Sequence, residues 1–168
     1  MTVFPTAIGD CGIVWNDAGV CGVQLPESSA DETRARLQRH WPTAVESEPS
    51  AAATRAIDGI TALLGGTPDP LDDVVVDLSG VSDFRRDVYA VARRVGPGDT
   101  ITYGEIASRI GSPHAAREVG QALGANPVPL IVPCHRVLAA GGKLGGFSAR
   151  GGVTTKSRLL AIEGASLF

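Results

Sequence analysis

Apolar positions change their period along the chain, and the changes mark out the elements. In residues 6–25, Ile8, Ile13, Val14 and Trp15 precede Asn16-Asp17-Ala18-Gly19, and Val20, Val23 and Leu25 follow it. Two short β-runs around a polar turn predict a hairpin. Asp31–His40 is charged around Leu37, which fits a short helix. Ser50–Leu64 carries Ala52, Ala56, Ile60, Leu63 and Leu64 at helical spacing until Gly65-Gly66 stops it. Val74-Val75-Val76-Asp77-Leu78 is a β-branched run that predicts a buried strand. Residues 1–80 therefore predict a small α+β unit.

Helical spacing dominates residues 81–168. Asp83–Arg94 sets Phe84, Val88, Val91 and Ala92 on one stripe and ends at Gly96-Pro97-Gly98. Thr102-Tyr103-Gly104-Glu105 has the form of a capping box, in which the Thr hydroxyl and the Glu carboxylate each satisfy a free amide of the first turn. It opens a helix running through Arg109. Ser112-Pro113 predicts a second start, with Ser112 as N-cap, the helix running from His114 to a stop at Gly124. Two short helices across Gly111-Ser112-Pro113 have the spacing of a helix-turn-helix. On the second, Ala115, Val119, Ala122 and Leu123 form a core stripe, while Ala116, Gly120 and Gly124 leave a face almost bare, with Arg117 beside it. Such a face either packs closely in the protein's own core, leaving Arg117 solvated, or admits a nucleic-acid backbone while the cation reaches into a groove.

Composition changes this picture in two respects. Hydrophobic residues make up 43% of the 168 and charged residues 20%, an ordinary globular balance that disfavours disorder. No basic leader with an apolar stretch opens the chain, and no run of about 18 apolar residues occurs, so the expectation is a cytoplasmic protein with no membrane association. The net charge of −3 hides an asymmetry: residues 1–80 carry 4 basic against 12 acidic side chains, and residues 81–168 carry 11 against 6. A basic half calls for an anionic partner, nucleic acid being the commonest.

Chemistry concentrates at Pro133-Cys134-His135-Arg136-Val137, behind the apolar run Leu130-Ile131-Val132. A thiol must lose its proton to attack carbon, and an adjacent imidazole is a base able to take it. Adjacent side chains on a strand point to opposite faces, so the pair meets only across a turn or the first turn of a helix, and Pro133 makes such a break. Taken alone, a Cys-His dipeptide is more often a structural Cys beside an unrelated His. Its company is Asn126-Pro127 before it and Leu159-Leu160-Ala161-Ile162-Glu163-Gly164 after it.

With these motifs in order, the chain from Phe84 to Glu163 resembles the O6-alkylguanine-DNA alkyltransferases, also called methylated-DNA–protein-cysteine methyltransferases. The resemblance runs through Thr100–Ala107, Ala115–Gly120, Asn126–Pro129 and Ile131–Val137. It implies a ribonuclease H-like N-terminal α+β domain and a winged helix-turn-helix-like C-terminal domain that binds DNA and accepts the alkyl group. It implies direct-reversal repair, an alkyl group moving irreversibly from O6 of guanine, or O4 of thymine, to Cys134 in a single turnover. Cys134 would be the nucleophile, His135 the base acting through water, Glu163 its orienter and Asn126 the hinge. Arg117 would fill the place of the extruded base and Tyr103 crowd the 3′ phosphate, with Ala115, Ala116 and Gly120 approaching the minor groove. Tyr103, Val137, Phe147, Ser148 and Pro129 would line the base pocket. The protein would act as a monomer on double-stranded DNA, without cofactor or metal.

Some positions depart from the family pattern. The segment Gly145–Gly152 is about two residues longer, adding Arg150, and Phe147 stands where Tyr is common. Arg85, Tyr89 and Glu118 also replace more usual residues. Cys11 and Cys21 could be combined with His40 as metal ligands, but without a close pair or a fourth ligand they predict two buried apolar thiols. Two other functions compete with transfer. A sensor would bind alkylated DNA without taking the group, yet such relatives replace the Cys; a Cys-His hydrolase would need an oxyanion hole that no motif supplies.

Overall fold

The structure, a computed structural model, describes residues 1–165; the last three positions of the expected 81–168 region lie outside them. Two compact units are present. One comprises Met1–Leu78 with Pro127–Ile131, the other Ser79–Asn126 with the chain from Val132. None of the helices in the described residues is long and apolar enough to cross a membrane.

The first unit is an antiparallel sheet in the order β1 (Thr2–Thr6), β2 (Gly9–Asn16), β3 (Gly19–Gln24), with helices α1 (Ala30–His40) and α2 (Ala51–Leu64). The expected hairpin is β2–β3. Its turn is closed by Asn16, whose Oδ1 accepts from Ala18 N at 2.8 Å and Gly19 N at 3.1 Å. Gly19 takes φ +144°, and a Cβ there would lie 2.6 Å from the Val75 carbonyl oxygen, so only glycine fits. Strand β1 was not signalled because Pro5 interrupts it, and as an edge strand it tolerates a residue without an N–H. Ser29 and Ser50 cap α1 and α2. The inward stripe of α2 is Ala53, Ala56, Ile60, Leu63 and Leu64, with Ala52 only half-buried.

Two expectations for this unit are corrected. Val74–Leu78 is not a buried strand: it touches the sheet through one bridge, Val76 to Val20, and Val75 is 57% exposed. The β-branched run does extend the backbone, but it lies beside the edge strand β3, where alternate side chains face water. Of the two thiols expected to be buried, Cys11 is, with its pKa pushed up to about 12 by burial, whereas Cys21 is half-buried against the cluster of Met1, Val14 and Leu37. His40 is exposed on α1, its Nδ1 3.0 Å from Arg36 O.

The second unit holds α3 (Asp83–Ala92), α4 (Tyr103–Arg109), α5 (Ala116–Gly124) and α6 (Val153–Ile162). Ser82 caps α3, and its buried stripe is Val88, Tyr89 and Ala92. The Tyr89 hydroxyl donates to Ala122 O at 2.6 Å, satisfying a carbonyl of the last turn of α5. Both halves of the capping box form at α4: Glu105 N donates to Thr102 Oγ1 at 3.1 Å and Thr102 N to Glu105 Oε2 at 2.7 Å. Two short strands, β4 (Ile101–Thr102) and β5 (Val137–Leu138), pair in parallel. Two residues are too few to show a period, so the spacing could not announce them.

The expected start of α5 at His114 is also corrected. Ser112 is not its N-cap; Ser112–Ala115 closes a turn in which Ala115 N donates to Ser112 O at 2.9 Å, and the helix begins at Ala116 without a side-chain cap. Proline's fixed φ serves the second position of such a turn as well as the first turn of a helix, and the tight connection from α4 uses it for the turn. Ala115 is consequently half-buried at the helix entrance instead of in the core stripe, which is Val119, Ala122 and Leu123.

Candidate active site

Backbone geometry decides how Cys134 and His135 relate. Pro133 has φ −80° and ψ 66°, and Cys134 N donates to Val132 O at 2.8 Å, an inverse γ-turn. The chain then winds one 3₁₀ turn, Cys134–Arg136, with Arg136 N on Pro133 O at 2.9 Å. This break converts a neighbouring pair in sequence into side chains of one turn. The side chain of Asn126 donates to Val132 O at 2.8 Å and also hydrogen-bonds the Cys134 thiol, so it fixes the turn and the sulfur together.

Cys134 opens onto a cavity of about 520 Å³, a size suited to a small-molecule or single-base ligand. Of the anticipated residues, Tyr103, Ala116, Arg117, Gly120, Phe147 and Ser148 share its lining with Cys134; Leu123, Gly124 and Gly146 complete it. Three anticipated residues do not line it. Val137 is buried in β5, Ala115 precedes α5, and Pro129 belongs to the segment grouped with the first unit. Arg117 is exposed on the first turn of α5. Gly145 has φ +71°, and a Cβ there would approach the Tyr103 hydroxyl to 3.0 Å, so this glycine lets the loop after β5 close against the ring.

His135 is buried, and its Nε2 lies 2.7 Å from Glu163 Oε1, which sits at the C-cap of α6. With Nε2–H donated to the carboxylate, Nδ1 carries the lone pair; it is buried and has no protein partner among the described residues. Burial pushes the imidazole below its usual pKa, against an upward pull from Glu163. Burial would also push the Glu163 carboxyl up, but hydrogen bonds from His135 and Arg136 outweigh it and hold the group at about 2. The Cys134 thiol is pushed up by burial, with Asn126 and the positive charge of Lys156 acting in the other direction. The result is an ionised carboxylate at Glu163, a neutral imidazole at His135 and a protonated thiol at Cys134.

Two functional candidates were not assigned from the sequence. Arg136 is buried and grips Glu163 with two nitrogens, at 2.9 and 2.7 Å, while its Nη1 donates to Val95 O at 2.7 Å. Lys156 on α6 is buried, with Nζ 2.6 Å from Val137 O, 3.3 Å from Gly146 O and 3.5 Å from the Tyr103 hydroxyl. Burial lowers its pKa to about 8. The signal available was its position: Lys156 shares a helical face with Leu159 and Leu160, and a lysine on an apolar stripe requires internal acceptors. Arg150 of the longer loop is exposed and outside the cavity lining; its carbonyl accepts from Thr155 Oγ1 at 2.5 Å.

Known proteins resemble this chain over most of its length. Residues 83–165 match a family described as the 6-O-methylguanine DNA methyltransferase DNA-binding domain. A methylated-DNA–protein-cysteine methyltransferase of Methanothermobacter thermautotrophicus is 36% identical over 94% of this chain and 81% of its own. One from Mycobacterium bovis is 40% identical over 79% of this chain and 75% of its own. Among solved structures, Mycobacterium tuberculosis OGT in complex with DNA superposes with TM-score 0.76 at 34% identity, covering 96% of this chain and 91% of that one. The O6-methylguanine-DNA methyltransferase of Pyrococcus kodakaraensis superposes with TM-score 0.72 at 27% identity, covering 98% of both.

Proposed function

The chain belongs to the methylated-DNA–protein-cysteine methyltransferase family, and on that premise we propose that Cys134 takes the alkyl group from O6 of guanine in DNA, once and irreversibly. The observation that carries this is the convergence of Cys134, His135, Glu163 and Asn126 on one turn at a cavity lined by Tyr103 and the bare face of α5. The protein is a direct-reversal repair enzyme. Its reaction needs only a nucleophile, a base and an orienter.

His135 Nδ1 takes the thiol proton across one water, and the sulfur attacks the alkyl carbon. An S–C bond forms as the C–O bond breaks, and the guanine leaves with the electron pair and regains a proton. A dialkyl thioether is not hydrolysed by water or a neutral base, so each molecule acts once. O4-alkylthymine presents the same carbon–oxygen bond and belongs to the same chemistry.

A base within a duplex cannot reach a thiol in a cavity, so the nucleotide must rotate out. Arg117, exposed on the first turn of α5 at the cavity wall, fills the gap in the stack, and Tyr103 crowds the 3′ phosphate. Ala115, Ala116 and Gly120 leave the helix surface flat enough for close minor-groove approach. On this reading α4 and α5 form a helix-turn-helix of a winged type, and the sheet with α1 and α2 is the ribonuclease H-like part. The working division is residues 1–80 and 81–168, acting as a cytoplasmic monomer. Phe147 and Ser148 contact the flipped base.

The test is incubation with a duplex carrying O6-methylguanine, followed by mass analysis of the intact chain and its peptides. The expected result is one methyl in place of one hydrogen on the peptide holding Cys134. Binding of that duplex without any adduct would overturn the proposal and leave a sensor.

A further inference from the structure

The Glu163 carboxylate does not belong to His135 alone. Oε1 accepts from His135 Nε2 and from Arg136 Nη2, both at 2.7 Å, while Oε2 accepts from Arg136 Nε at 2.9 Å and from Gly98 N at 3.4 Å. The His135, Arg136 and Glu163 side chains are at most 2% exposed. A buried cluster is most stable near zero net charge, because each uncompensated charge carries a large desolvation cost. Guanidinium is a permanent charge, so Arg136 and Glu163 already sum to zero. In their presence a neutral imidazole completes a neutral cluster, and an imidazolium would leave it at +1. Without the guanidinium the balance reverses: carboxylate and imidazolium would sum to zero, and His135 would hold a proton at rest.

We propose that Arg136 is a positioning residue for alkyl transfer, whose permanent charge on Glu163 keeps His135 a neutral base able to take the Cys134 proton. The proposal rests on the alkyl-transfer role of Cys134. The proton moves from Sγ to Nδ1 as the sulfur forms its bond to carbon, and it returns to the departing guanine, so no other reactant is needed. Anchoring by Val95 O holds the guanidinium in place independently of the imidazole. The charged groups acting on His135 are Lys156 on α6, Glu163 at its C-cap and Arg136 from His135's own turn, with the Cys134 thiol protonated beside them; Lys156 acts in the same direction as Arg136, and Glu163 opposes both.

The experiment pairs two measurements on the full chain. Imidazole titration by NMR follows His135 apart from His40 and His114, which are both exposed, and single-turnover transfer from O6-methylguanine duplex gives the pH–rate profile. In Arg136→Gln, which keeps a hydrogen-bond donor near Glu163 but loses the charge, the His135 midpoint should rise by about one unit. Transfer should be about threefold or more slower near pH 6, approaching tenfold only well below the wild-type midpoint, and recover to within about threefold near pH 8.5. Arg136→Lys retains the charge and should leave the midpoint within about 0.3 units of the wild type. An unmoved midpoint in Arg136→Gln with a rate lowered equally at every pH would overturn the proposal and make Arg136 purely structural. If Arg136→Gln does not fold, Arg136→Lys decides: a midpoint displaced by a full unit would overturn the role of charge, and an unmoved one supports it. The titration requires no transfer, so failure of the alkyl-transfer reading would be seen separately, as absence of adduct on wild-type Cys134.

Discussion

Arg55 and Arg136 each hold a pair of acceptor sites, in opposite surroundings. In the first unit Arg55 reaches Asp69 at 2.9 and 3.1 Å and Asp73 at 2.8 and 3.0 Å, with its own side chain 35% and that of Asp73 62% exposed. In the second, Arg136 holds Glu163 and a backbone carbonyl with about 1% exposure. Hydrogen-bond lengths barely differ; the solvent does. Around Arg55 water screens the charges, and the cluster staples the segment after α2 to that helix. Around Arg136 water is excluded, so the same charges fix which neighbour carries a proton. Buried charge is costly, and among the described residues Arg136 and Lys156 carry it in the unit that holds Cys134.

The largest separation between the regions comes from Cys134→Ser. Transfer to the protein should vanish, as read by intact mass, while thermal unfolding stays within about 1 kcal/mol, since one thiol becomes one hydroxyl. Adduct persisting on another residue, such as Cys11 or Cys21, would break the assignment. Next is Arg117→Ala, which should slow repair in duplex DNA on the order of a hundredfold, matching the few kcal/mol that extrusion costs. Its reaction with free O6-benzylguanine should change little, and equal loss on both substrates would indicate misfolding instead.

Acid titration separates the two carboxylate clusters more finely. Glu163 is held at about 2 in the folded chain against 4.5 unperturbed, so the unfolded state binds its proton first. Its stabilisation is complete above pH 4.5 and is lost as the pH falls from there toward 2. Asp69 and Asp73 are also lowered, chiefly by hydrogen bonds from Arg55, and act in the same direction. The contrast is salt: in about 1 M NaCl the exposed aspartates should contribute little, whereas the buried carboxylate should keep its share. Urea midpoints of wild type and Glu163→Gln across pH 2–5 measure this, and identical slopes for the two chains would contradict the assignment. The smallest effect is Arg55→Ala, expected to cost about 1 kcal/mol at low salt and to leave the transfer rate unchanged.

Legibility differed by element. The capping box at Thr102–Glu105 and the Asn16–Gly19 turn were readable because their partners lie within three residues of each other. The start of α5 was misplaced because Ser-Pro serves a turn and a helix cap equally well. β1 was obscured by Pro5, which only an edge position permits, and β4–β5 were invisible because their pairing joins residues far apart in the chain.

At the site, the order Asn126, Pro133-Cys134-His135 and Glu163 carries the family resemblance from which a nucleophile, a base and an orienter are proposed. Lys156 and Arg136 escaped because a cation's role depends on which carbonyls and carboxylates surround it. The sequence by itself determined the residue types, the local caps and turns, and the break in backbone direction that Pro133 imposes. Only the tertiary structure decided that Glu163 is shared between His135 and Arg136, and that the bare face of α5 borders the cavity containing Cys134. The reason is range: capping and turn preferences act over a few residues, whereas the removal of water that gives a charge its effect is produced by the whole packed unit.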